Sequence, residues 1–320
     1  MTAYIIRRVL WGILLLFLVS LLTFLFFYIF PAANPAQLRA GRNASPAIIA
    51  YITKELGLNK PVYTQFFDYM KGIVLHFNFG YSYYSGASVI GLIGNRLPAT
   101  LSLTVGAVLL WLLMGIPVGV ISAVRRRSAV DRTAMGTALL FVSMPVYWLG
   151  LIVLFLFASD IGKFPILPGA SSYVGLTVSP TKWFTSLLLP WFVLAATEAA
   201  IYSRLLRGSL IEVMGEDYIR TARAKGLPER RVVWHHGVRS AITPVITVLG
   251  LDIGALLGGA VLVETVFDIP GIGRLNYDAI LHSDIPIVQG TVLLAAMFIV
   301  VANIVVDIAY AYLDPRVRYS

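Results

Sequence analysis

Charge falls along this chain in clusters, and the intervals between the clusters are long and apolar. Val9 to Phe30 is uncharged for 22 residues and follows Arg7 and Arg8. Ala99–Val124 and Thr133–Ser159 are two more uncharged runs, parted by Arg125, Arg126, Arg127 and Arg132. Ser186–Ser203 is interrupted by Glu198, Ala241–Val263 contains Asp252, and Val288–Leu313 contains Asp307. Each run is long enough to cross about 30 Å of hydrocarbon as a helix. The pattern predicts an all-α polytopic membrane bundle of about six transmembrane helices. The first run resembles a signal peptide, but it is too long and no cleavage site follows, so it is read as an uncleaved span.

Composition supports lipid as the solvent. The 320 residues are 58% hydrophobic and 13% charged, with a mean hydropathy of +0.81, too little polar surface for a soluble chain of this size. The net charge of +9 would suggest nucleic acid on a soluble protein. Here the basic residues gather between the apolar runs, where topology requires them, and no nucleic-acid partner is expected. Apart from the long 31–98 segment, which counts little, one side carries 16 Lys/Arg and the other three. That asymmetry places both termini and segment 204–240 in the cytoplasm. No cysteine is present, which excludes disulfides, thiolate metal sites and cysteine nucleophiles.

Two segments outside the apolar runs are too long to be connectors. In 31–98, Ser45-Pro46 marks a helix start, Gly57 a stop and Pro61 a second start. The chain therefore divides into 1–98, the first span with its extracytoplasmic region, and 99–320, a core of five helices that includes the cytoplasmic 204–240 segment. Within that segment, Glu216 and Asp217 open a short helix, Arg223 and Lys225 close it, Gly226 stops it and Pro228 begins another. By physics alone it is either a docking element or a basic helix resting on anionic headgroups.

Inside the membrane, Gly250, Gly254 and Gly258 recur every four residues and form a helix-packing stripe. Asp252 lies about 200° from Gly250 around a helix, so it faces away from the stripe, with Ala255 and Gly259 near it. A carboxylate cannot face lipid cheaply. Asp252 and Glu198 either line a translocation path or are hydrogen-bonded acids that hold helices together. The adjacent His235 and His236 point to different faces and make a poor metal pair, so no metal site is expected. There is no G-x-x-x-x-G-K-[ST], G-x-S-x-G or H-E-x-x-H anywhere. An ion-gradient-driven transporter would predict inverted repeats, and none is evident.

Five spaced motifs, in order, resemble the peptide/nickel branch of ABC importer permeases. They are Tyr4-Ile-Ile-Arg7-Arg8, Arg96-Leu-Pro98-Ala-Thr100, Asp217 to Leu227, Glu264 to Leu275 and Leu313 to Arg318. Asp217–Leu227 resembles the family's EAA loop in its peptide-transporter form, while Arg220 and Thr221 depart from the general Glu-Ala-Ala signature. Pro31-Ala-Ala-Asn34-Pro35 departs from the usual Pro-Gly-Asp-Pro. The resemblance implies a type I importer permease that is not itself an enzyme. It implies an EAA-type loop in which Asp217, Tyr218, Arg220, Thr221, Ala222, Arg223, Lys225 and Gly226 couple to an ATPase, with Ala222 and Gly226 as its small contact face. It further implies a homologous second permease, two cytoplasmic ATPase domains that carry ATP and magnesium, and an extracytoplasmic solute-binding protein, in a prokaryotic plasma membrane. No cofactor is expected on this chain. Peptides are the first expectation for the solute, with nickel chelates, haem or another small solute of the branch as alternatives.

Overall fold

The computed structural model describes residues 2–29, 35–41 and 44–313. Pro31–Asn34 and Asp314–Arg318 lie outside them. Among the described residues regular structure is helical, apart from two isolated β-bridges. In chain order the helices are α1 (Thr2–Ile29), α2 (Pro35–Ala40), α3 (Pro46–Glu55), α4 (Val62–His76), α5 (Val89–Val124), α6 (Ala129–Ser143), α7 (Val146–Phe157) and α8 (Pro180–Val213). There follow α9 (Asp217–Ala224), α10 (Glu229–Arg231), a π-helical stretch Val232–Val238, α11 (Arg239–Ala241), α12 (Thr243–Leu257), α13 (Val261–Val266), α14 (Ile272–Leu281) and α15 (Ile285–Leu313).

Four of these, α1, α5, α8 and α15, are long and apolar enough to cross a membrane singly. Two bent pairs bring the total to as many as six. The run Thr133–Ser159 is two half-helices, α6 and α7, that meet at 103°. Pro145 is the cause. It has no N–H to donate and holds Met144 in an extended conformation (ψ 128°). The second pair joins Glu229–Ala241 to α12 at 52°. Its first limb carries Glu229, Arg230, Arg231 and Arg239, the last of them four residues before Thr243, where α12 begins.

The centre of the bundle is α5 against α8. Small residues let the backbones close: a Cβ at Gly115 would lie 3.0 Å from the Ala199 carbonyl oxygen, and one at Gly119 would lie 2.9 Å from that of Ser203. Trp191 Nε1 donates to the Ser102 carbonyl at 3.0 Å, and the Trp111 and Tyr202 rings meet at 5.6 Å between centroids. Leu103, Trp111, Leu187, Val193 and Leu206 are fully buried here. On one flank α12 packs on α15, which also packs on α1. Arg8 of α1 pairs with Asp307 of α15 at 2.9 Å, so Asp307 is a structural acid.

Outside the membrane the helix signals act locally. Ser45 Oγ accepts from the Ile48 amide, Gly57 takes φ +67° after α3, and Pro61 precedes α4. Helix α4 lies against α1, with Phe66 5.2 Å from Phe24 and 5.9 Å from Phe17 between ring centroids.

Candidate functional site

Two regions hold the residues singled out in the sequence: a surface helix beyond the end of α8, and a half-buried group between α8 and α12.

The 34 residues of α8 span about 50 Å as a helix, which carries it through and beyond the hydrocarbon. Its outlying part is anchored. Arg207 donates to both carboxylate oxygens of Asp131, at 2.7 and 2.8 Å, and the Arg127 amide donates to the same carboxylate at 2.9 Å. This bidentate pair ties α8 to the first turn of α6, and the Arg127 amide adds the basic loop before it. The sequence analysis counts Arg207 for topology only and does not single out Asp131. Asp131 in the first turn after Ser128 was a visible helix-start signal, but nothing local pointed to Arg207.

Helix α9 follows one turn later. Glu216 is its N-cap residue, with extended dihedrals, Asp217 sits in its first turn, and Arg220 reaches back to Asp217 at 3.2 Å. Lys225 caps the C-terminus, and Gly226 takes φ +75°, where its amide donates to the Arg223 carbonyl at 2.9 Å. No atom lies near the place of a Gly226 Cβ, so the left-handed turn, not crowding, requires glycine. Arg223 closes the turn with a bidentate pair to Glu229, at 3.1 and 2.7 Å. That pair holds the Glu229 carboxyl below the usual glutamate range and raises Arg223.

The structure corrects the face assigned to Ala222. Ile219 and Ala222 are the two buried residues of α9, and they pack with Val232, Met214 and Leu227. Three residues apart, they share one helix face, and the fully buried Ile219 turns that face inward. Ala222 is small because α9 sits close on this chain's own π-helical stretch. The surface open to a partner is therefore Asp217, Tyr218, Arg220, Thr221 and Lys225, all exposed.

In the second region, Gly250, Gly254 and Gly258 face α15. A Cβ at Gly254 would lie 2.9 Å from Ile299 Cα, one at Gly258 would lie 2.7 Å from Ala295 Cβ, and Gly250 abuts Val306. Asp252 points the other way and accepts a hydrogen bond from the Tyr202 hydroxyl at 2.7 Å, which joins α12 to α8. Glu198 lies one turn before Tyr202 on α8 and enters no hydrogen bond or ion pair among the described residues. Ala255 is exposed on α12. Gly259 is a second correction. Span five was expected to continue to Val263, but the helix ends at Leu257. Gly259 takes φ +118° beyond that end, against the backbone of Gly273, so it does not share a face with Asp252.

Glu264 was read only as part of a motif and has a larger structural role. It is fully buried. Its carboxylate accepts from Thr100 Oγ1 of α5 and from the Arg274 amide, each at 2.9 Å, while Thr100 Oγ1 also accepts from the Ile272 amide at 2.8 Å. Three elements, α5, α13 and α14, meet on this one side chain. The motif Glu264–Leu275 was the signal, and its partner Thr100, 164 residues away, was hidden from it.

Two family models match the chain. One, the binding-protein-dependent transport system inner membrane component, covers residues 115–319. The chain belongs to that family. The other, the N-terminal part of such membrane components, covers 1–104. A peptide transport system permease protein of Brucella abortus is 41% identical over 320 residues, the full length of both chains. The dipeptide transport system permease protein of Escherichia coli is 40% identical over 322 residues, with 94% of each chain covered. A solved structure of the MetNI methionine ABC transporter in an inward-facing conformation matches with a TM-score of 0.56 at 17% identity, over 70% of this chain and 97% of that one. The fold is thus the type I importer permease fold. This family member is a multi-pass permease subunit that works with other transporter subunits. The EAA-type segment falls inside the larger matched region.

Proposed function

We propose that this permease translocates di- or oligopeptides, with α9 as the element that couples it to ATP hydrolysis on partner subunits. The full-length identity of about two-fifths to permeases named for peptide and dipeptide transport supports the solute class. One observation carries the coupling role. Helix α9 lies outside the apolar runs, is seated by Ile219 and Ala222 alone, and turns its charged and aromatic side chains outward. The assembly comprises a homologous second permease, two cytoplasmic ATPase domains holding ATP and magnesium, and an extracytoplasmic binding protein that delivers solute to the 31–98 region and the turn near Pro270. Both termini face the cytoplasm of a prokaryotic cell, as the Lys/Arg asymmetry supports. Glu198 and Asp252, with exposed Ala255 nearby, line the path.

The coupling role is tested with Asp217→Arg and Tyr218→Ala in the purified complex. These exposed changes should leave the permease folded while ATPase association, or solute-stimulated ATP turnover in liposomes, falls at least tenfold. Normal assembly and coupled uptake in both variants would remove α9 from the coupling role. Asp252→Asn keeps an acceptor for Tyr202, and Glu198→Gln keeps its shape. Both should slow peptide uptake while ATPase association stays intact.

A further inference from the structure

The limb between α9 and α12 has two unlike edges. Residues 229–241 bury one edge, through Val232, Val233, Gly237, Val238 and Ala241, against α8, α9 and the start of α12. The opposite edge exposes Arg230, Arg231, Trp234, His235 and Arg239. A cavity of about 450 Å³ opens there, lined by Pro228, Arg230, Arg231, Trp234 and His235.

Its charge is uncompensated. The limb has one carboxylate, Glu229, and Arg223 occupies both of its oxygens. Arg230 and Arg231 enter no ion pair among the described residues. Two guanidinium groups that share a cavity and lack an acid are a site for an anion, and the fork of each donor matches phosphate oxygens.

Position selects the source of the phosphate. Trp234 precedes Thr243 by nine residues, at most about 13 Å of helix, and the 52° bend reduces that along the α12 axis to about 8 Å. Trp234 therefore stands near the headgroup layer if α12 enters the hydrocarbon at its start, and Arg230 and Arg231, about 11–12 Å out by the same measure, reach that layer through their long side chains. A Trp half exposed (49%) beside arginines fits that layer, where an aromatic ring needs an apolar and a wet side together.

We infer that this cavity binds the phosphate of an anionic phospholipid in the leaflet next to the limb, the inner one in the orientation proposed above. The lipid's acyl chains lie along α12 and its phosphate is held by Arg230 and Arg231. A bound lipid would hold the limb at a set height, and through Val232 the seat of α9 as well. The two halves of the cytoplasmic segment thus divide their tasks, α9 facing a protein and 229–241 facing the membrane.

The test uses the full chain, purified in detergent and titrated with phosphatidylglycerol or phosphatidylcholine of the same acyl chains, with bound lipid counted by native mass spectrometry. Phosphatidylglycerol should be retained about tenfold better, and Arg230→Gln/Arg231→Gln should bring the two lipids near parity without changing the melting temperature. Trp234→Ala, which leaves both charges, should lower phosphatidylglycerol retention about threefold. An unchanged preference in the double variant would overturn the site. Displacement of the lipid by equimolar inorganic phosphate would overturn the lipid as its source. Loss of ATPase from the assembled transporter, with lipid preference intact, would make this edge a protein contact instead.

Discussion

The turn from Glu264 to Gly273 and the helix α9 both lie outside the apolar runs, on either side of α12 in the chain, and they are built in opposite ways. The turn is locked into the bundle: Glu264, Phe267, Ile269 and Ile272 are all at most 3% exposed, and the Glu264 carboxylate collects donors from α5 and α14. Arg274 pairs with Asp268, and Ser171 reaches the same carboxylate. Helix α9 has two buried side chains, and its ion pairs with Asp217 and Glu229 are exposed. A region whose polar groups are satisfied by the bundle around it behaves as part of the rigid body. A helix attached by one small cluster can follow whatever grips its other face.

Changes to the turn should then affect the whole fold, and changes to α9 should stay local. The largest effect is expected at Gly273, where a Cβ would lie 2.8 Å from the Val261 amide nitrogen. Gly273→Val has no side-chain rearrangement to relieve that clash, and a monodisperse chain should not be recovered from detergent extracts. Next is Glu264→Leu, which strands the Arg274 amide and the Thr100 hydroxyl inside the protein. Its loss should be about 3 kcal/mol, read as a lower global melting temperature, with Glu264→Gln losing less because one acceptor oxygen remains. If Glu264→Leu melts like the parent, the turn is not the rigid member of the pair.

In α9, Ala222→Trp overfills the pocket formed by Ile219 and Val232, at about 1–3 kcal/mol. The loss should show as faster amide exchange confined to 217–224, with the global melting temperature unchanged; a global shift would erase the contrast. The smallest effect belongs to the Arg223–Glu229 pair. Removing it with Glu229→Gln should change local stability by under about 1 kcal/mol. The folded Glu229 carboxyl titrates below its unfolded value, so the contribution is complete above about pH 4.3 and fades as the pH falls further. Amide exchange at 223–231 should thus differ between parent and Glu229→Gln at pH 7 and converge in acid.

Much of this protein was legible as a sequence because the rules involved are local. Apolar runs must be long to cross lipid, Lys/Arg bias acts loop by loop, and the stop at Gly226, the start at Ser45 and the packing stripe at Gly250, Gly254 and Gly258 use spacings within a few residues. Other features depended on groups far apart in the chain. Periodicity could show that Ala222 is small, but not whether its neighbour was a partner protein or Val232, ten positions on. Gly259 was placed on a helix because nothing nearby announced that Gly273 would need the space. Thr100 and Glu264, Asp131 and Arg207, Tyr202 and Asp252 are pairs that only the packed bundle brings together. Burial, in whole or in part, forces each such group to find a donor or acceptor, and the tertiary structure decides which one is within reach.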